Sequence, residues 1–114
     1  MGMAFPLFPL GRLSTKMRLM AVLLQLAVNP ASPEQFQDLD ALVGRAMMEA
    51  GGPPAGLMSH VVFPDKDGFV VADVWRTEAE GMHYLTDQLR PLLDQLGLDV
   101  IETSVRPVWS FARP

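Results

Sequence analysis

The chain has 114 residues, 49% of them apolar and 19% charged, with a formal net charge of -4 and no cysteine. That length and composition suit one globular domain with its own core. The missing cysteines exclude disulfides, thiolate nucleophiles and cysteine-held metal centres, and nine scattered basic residues leave no electrostatic footprint for nucleic acid.

The first sixteen residues, with Pro6, Pro9, Phe5 and Phe8, read as an N-terminal arm, and the domain proper is expected over 17–114. The apolar run Leu19 to Val28 follows Arg12, Lys16 and Arg18, as a secretory signal would, but no small-x-small cleavage site ends it and a helix start follows directly. It is also too short to span a bilayer. A cytoplasmic protein, away from membranes, is therefore expected.

Met17 to Val28 has the aliphatic density of a buried strand, and Asn29-Pro30 ends it. Ser32-Pro33-Glu34-Gln35 then supplies an N-cap Ser, a Pro at the first helical position and a Gln at the third, the arrangement of a capping box. Phe36, Leu39, Leu42, Val43, Ala46 and Met47 recur at steps of three and four, so one apolar stripe runs along a helix that stops at Gly51-Gly52. Gly56 to Pro64 and Gly68 to Trp75 are two strand-forming runs flanking Asp65-Lys66-Asp67-Gly68, which is turn chemistry for a hairpin. Thr77-Glu78-Ala79-Glu80 repeats the capping-box pattern and opens a helix carrying Met82, Leu85, Leu89, Leu92, Leu93 and Leu96, with Pro91 expected to kink or split it. Val100 to Phe111 reads as a fourth strand, and Pro107 within it points to a sheet edge or a bulge. The order β-α-β-β-α-β predicts an α+β, ferredoxin-like fold: a four-stranded antiparallel sheet with two helices on one face.

Strand parity separates Val70, Ala72 and Val74 from Phe69, Val71, Asp73 and Trp75. With a four-residue loop at Asp65 to Gly68, Pro64 pairs with Phe69, Val62 with Val71, His60 with Asp73 and Met58 with Trp75. The small set suits the helices. On that reading Phe69, Val71, Trp75, Met58, Val62 and Leu23 lie on an uncovered face too apolar for a monomer, so a homodimer closing sheet against sheet around an apolar pocket is expected.

The element order and the segment Gly68-Phe69-Val70-Val71-Ala72-Asp73-Val74-Trp75, followed by a capped helix, resemble the dimeric α/β-barrel superfamily, specifically the small proteins related to antibiotic biosynthesis monooxygenases. The resemblance covers residues 17 to 111. It implies a cofactor-independent monooxygenase or cyclase acting on a phenolic or polyketide-like substrate, within a superfamily that also holds haem-degrading enzymes, isomerases and proteins without known activity. Trp75 matches a Trp at the end of the third strand in the oxygenases. The His that follows that Trp by about nine residues there is met here by His83 at eight and Tyr84 at nine.

His60 and Asp73 are the candidate catalytic pair, with Asp73 setting the tautomer of a His that acts as general base. The plainer reading is a satisfied polar pair lining a dimer seam. Trp75, Phe69, Met58 and Val71 would hold a flat apolar ligand, Gln25 would add a polar group, and His83 and Tyr84 would stand at the pocket mouth. Two distant histidines without carboxylates at ligand spacing do not make a metal site. An enzyme needing no cofactor and a non-catalytic, small-ligand-binding or stress-related dimer both remain open.

Overall fold

The computed structural model describes residues 20–110; the arm at 1–16, the first residues of the domain and the last of the fourth strand's expected span lie outside them. Four strands, β1 (Val22–Val28), β2 (Leu57–Asp65), β3 (Gly68–Trp75) and β4 (Val100–Pro107), form one antiparallel sheet in the order β2-β3-β1-β4. This is the ferredoxin-like arrangement. β4 stands at an edge, where Pro107 removes no ladder bond that an inner neighbour needs.

The first helix, α1 (Pro33–Ala50), begins on a complete capping box. The Ser32 hydroxyl accepts from the Gln35 amide at 3.1 Å, and the Gln35 carboxamide oxygen accepts from the Ser32 amide at 2.9 Å. Gly51, at φ 89°, takes the left-handed cap position that lets its N–H reach back to the last carbonyls. At the second helix the box is only half made. The Thr77 hydroxyl accepts from the Glu80 amide at 3.2 Å, but the Glu80 carboxylate turns to the Arg76 guanidinium instead of the cap backbone.

That second helix runs from Glu78 to Gln95 in three pieces: α2 (Glu78–Tyr84), a π-helical turn (Leu85–Leu89) and α3 (Arg90–Gln95). Pro91 explains the widened turn. Its ring cannot approach the carbonyl four residues back, so the preceding turn loosens and the Arg90 N–H bonds the Leu85 carbonyl five residues back. The expected kink is therefore a π turn that keeps Leu85 and Leu89 both buried.

The hairpin register is the expected one at Pro64–Phe69, Val62–Val71 and His60–Asp73. Asp65 also pairs with Gly68, so the connection tightens to Lys66-Asp67, with Lys66 at φ 53°. Glycine at 68 is required by space, since a Cβ there would run into the Val28 carbonyl oxygen. The expected Met58–Trp75 pair does not form: a bulge makes Met58 the extra residue, and Leu57 takes its place opposite Trp75.

The faces are the reverse of the expectation. Val22, Leu24, Leu26 and Val28 are 1–3% exposed, and their partners across the ladder are Trp75, Asp73, Val71 and Phe69. Phe69 meets Phe36 of α1 edge to face at 5.3 Å, and Trp75 lies against Tyr84 of α2 at 5.2 Å. The large aromatics fill the gap under the helices. The smaller set, Val70, Ala72 and Val74, shares the opposite face with Leu23, Gln25 and Ala27 of β1 and with Val61 and Phe63 of β2. Val61 and Phe63 there are 53% and 41% exposed.

Candidate active site

β2 and β3 place His60 and Asp73 directly opposite one another on the helix-covered face, and the structure joins them: His60 Nδ1 lies 2.6 Å from Asp73 Oδ1. An ionised carboxylate can only accept, so the Nδ1–H donates and the lone pair at Nε2 is left free to take a proton. The pair is asymmetric. Asp73 is buried, whereas 45% of the His60 side chain is exposed. Burial pushes the Asp73 carboxyl above its ordinary range, and the bond to His60 and its charge pull back less strongly.

Around the pair lies a small cavity of about 30 Å³, lined also by Phe36, Leu39 and Val43 of α1, by Val62 and Val71 of the sheet, and by Tyr84 and Leu89. Two further polar residues line it, Asp40 of α1, which is exposed, and Tyr84, which is buried. The Tyr84 phenol is pushed up to about 12 by burial first and by the Asp73 charge second, so it is a neutral hydrogen-bonding group at ordinary pH rather than a base.

A second, larger cleft of about 710 Å³ opens at the hairpin end, between the Pro30–Phe36 segment and residues Val62–Phe69, with Phe69 in its wall. Phe36 and Val62 belong to both cavities.

The candidate residues thus separate. His60, Asp73, Val71 and Tyr84 line one cavity, and Phe69 lines its neighbour. Trp75 is on the same face but is fully buried behind Tyr84, a core residue rather than an open stacking surface, and its indole N–H finds no acceptor among the described residues. Gln25 lies on the opposite face of the sheet, away from the His60–Asp73 pair. Met58 is half-buried in the bulge. His83 is exposed on α2, with its Nδ1 3.0 Å from Asp87 Oδ2 one turn on. The large side chains and the polar pair sit under the helices, so the cavities they line lie between sheet and helices and not on the other face of the sheet. Phe36, Leu39, Val43 and Leu89 were legible as helix stripe but not as cavity walls, since helical spacing marks a buried face without saying what it encloses. Among the described residues no cluster of three potential metal ligands occurs, and no helix is long and apolar enough to cross a membrane.

The chain matches no protein-family model and no curated protein. Solved structures do match. SnoaB from Streptomyces nogalater, a cofactor-independent oxygenase, is similar at 15% identity over 81% of this chain and 94% of that one, with a TM-score of 0.53. A protein from Chloroflexus aurantiacus named for the antibiotic biosynthesis monooxygenases is similar at 16% identity over 81% and 97%, with a TM-score of 0.54. One from Deinococcus radiodurans, named likewise, is similar at 14% over 83% and 98%, with a TM-score of 0.53. The chain has the fold of these antibiotic biosynthesis monooxygenase-like proteins, and at such identities the likeness is one of fold.

Proposed function

We propose that this protein is a cofactor-independent monooxygenase or cyclase for a flat phenolic or polyketide-like substrate, working as a homodimer. The observation that carries the reading is the 2.6 Å bond from His60 to a buried Asp73 at the wall of an apolar cavity. Such a pair is a general base with its tautomer set. The SnoaB likeness adds the class of chemistry.

His60 Nε2 takes a proton from a CH2 group flanked by aromatic rings and a carbonyl, and the negative charge spreads over the rings. In the oxygenase form the carbanion passes its electrons to dioxygen, a C–O bond forms, and the peroxide collapses to C=O. One oxygen atom enters the substrate and the other leaves as water with both hydrogens of the CH2. The carbon supplies all four electrons, so no reductant is consumed. In the cyclase form the same carbanion attacks a carbonyl of the substrate instead. Tyr84, neutral and facing the cavity, would donate to the developing oxyanion.

The homodimer reading rests on the sheet face that no helix among the described residues covers, where Leu23, Ala27, Ala72 and Val74 and the buried Val70 run beside exposed Val61 and Phe63. A second sheet laid on that face would hide it.

Oxygen uptake and product formation over a panel of anthrones and hydroxynaphthalenes test the chemistry. A substrate turned over by the wild-type chain should lose roughly 10²- to 10⁴-fold in rate with His60→Ala, less with Asp73→Asn, and little with His83→Ala. Full activity in His60→Ala, with loss in His83→Ala, would move the site to the helix surface. No turnover across the panel would favour a ligand-binding dimer.

A further inference from the structure

The two cavities differ more than twentyfold in size, about 710 Å³ against about 30 Å³, and they meet at Phe36 and Val62. A cleft of the larger size takes a molecule of several rings, whereas the space beside His60 holds little more than a water. From Val62 to His60 is two residues along β2, about 7 Å. A ligand seated in the cleft therefore ends one short step from the base, and something at the junction decides whether it takes that step.

Of the two junction residues, Val62 is β-branched, stiff at χ1 and locked in the ladder opposite Val71. Phe36 is different. Its backbone is fixed, because the reciprocal Ser32–Gln35 bonds anchor the first turn and the Phe36 N–H bonds the Ser32 carbonyl at 3.0 Å. Its ring is half-buried, packed against the edge of the core, and meets Phe69 edge to face at 5.3 Å and 65°. A contact of that kind is a weak restraint on a side chain with two rotatable bonds.

We propose that Phe36 is a specificity-determining residue: its ring closes the inner end of the cleft, so that the length of a flat aromatic ligand lodged there decides whether the ligand turns the ring aside and reaches His60. The proposal deepens the reading of His60–Asp73 as the reacting centre and rests on it for its catalytic meaning. It makes long, flat ring systems the substrates and leaves short ones bound in the cleft without reaction.

Binding to the full chain tests this without requiring turnover. The probes are 1-naphthol, with two rings, and 1,8-dihydroxyanthraquinone, with three, titrated calorimetrically into wild type, Phe36→Ala, Phe36→Leu and Phe36→Trp. Phe36→Ala should tighten the three-ring probe by about tenfold relative to the two-ring probe, and Phe36→Trp should shift the ratio the other way. A second readout is the rate of His60 modification by diethyl pyrocarbonate in a His83→Gln background, which the three-ring probe should slow and the two-ring probe should not. Equal changes for both probes, or no binding of either to wild type, would overturn the proposal. If Phe36→Ala loses its fold by circular dichroism, Phe36→Leu and Phe36→Trp carry the same comparison. A length-dependent ratio that persists in His60→Ala, together with unchanged turnover in that variant, would uphold the gate while sinking the proposed chemistry. Loss of turnover in His60→Ala with no length dependence would do the reverse.

Discussion

Tyr84 is the only tyrosine in the chain, so the appearance of tyrosinate absorbance on raising the pH reads one group at the centre of the site. It lines the cavity that Asp73 also lines, it is 8% exposed, and its pKa is pushed up to about 12, first by burial and then by the Asp73 charge. Against an ordinary value near 10, a rise of about two units corresponds to about 3 kcal/mol between the two protonation states. Because the folded pKa is the higher one, this contribution to stability is fully present below about pH 10 and is lost as the pH climbs toward about 12. Two signals should be followed together through an alkaline titration, tyrosinate absorbance and the helical circular dichroism. While the helices persist, ionisation should hold off until near pH 12. If the chain unfolds first, both signals should change together above pH 10. Asp73→Asn should lower the midpoint only slightly, since burial is the larger cause, and Tyr84→Phe should remove the alkaline loss. A midpoint near pH 10 with the helical signal intact would refute the buried placement of Tyr84, and with it the closed wall of the small cavity.

The raised pKa of Asp73 makes its stabilising contribution fully present below the ordinary carboxylate pKa and lost as the pH rises through the folded value. Asparagine does not titrate, so the difference in Tm, Asp73→Asn minus wild type, should be more positive at about pH 7 than at about pH 3; a difference that moves the other way would show that the bond to His60 outweighs burial. For the dimer, Ala72→Arg would set a charge in the middle of the sheet face turned away from the helices, opposite Gln25 and Val61. Sedimentation should then change from dimer to monomer while circular dichroism stays the same, and a wild-type chain that already sediments as a 12.6 kDa monomer at micromolar concentration would end the dimer reading.

Much of this protein is written locally. Ser32 and Gln35 make the capping box that their spacing announces, Gly51 ends α1, and Pro91 breaks the regular ladder of the second helix. The turn at Lys66-Asp67 pins the hairpin, and because side chains alternate along a strand, that register alone brings His60 opposite Asp73. Each of these features is settled by residues a few positions apart. What the chain could not declare was which side of the sheet the helices take. Both faces of β3 are apolar, so alternation divides Phe69, Val71, Asp73 and Trp75 from Val70, Ala72 and Val74 without ranking them. The choice was made by volume across the layer. Phe36 and Tyr84, contributed by separate helices, need Phe69 and Trp75 to fill the space beneath them, and the smaller set is left to the other face. That choice carried His60 and Asp73 under the helices and Gln25 away from them, because a sheet has only two sides and contacts between distant segments decide which one closes.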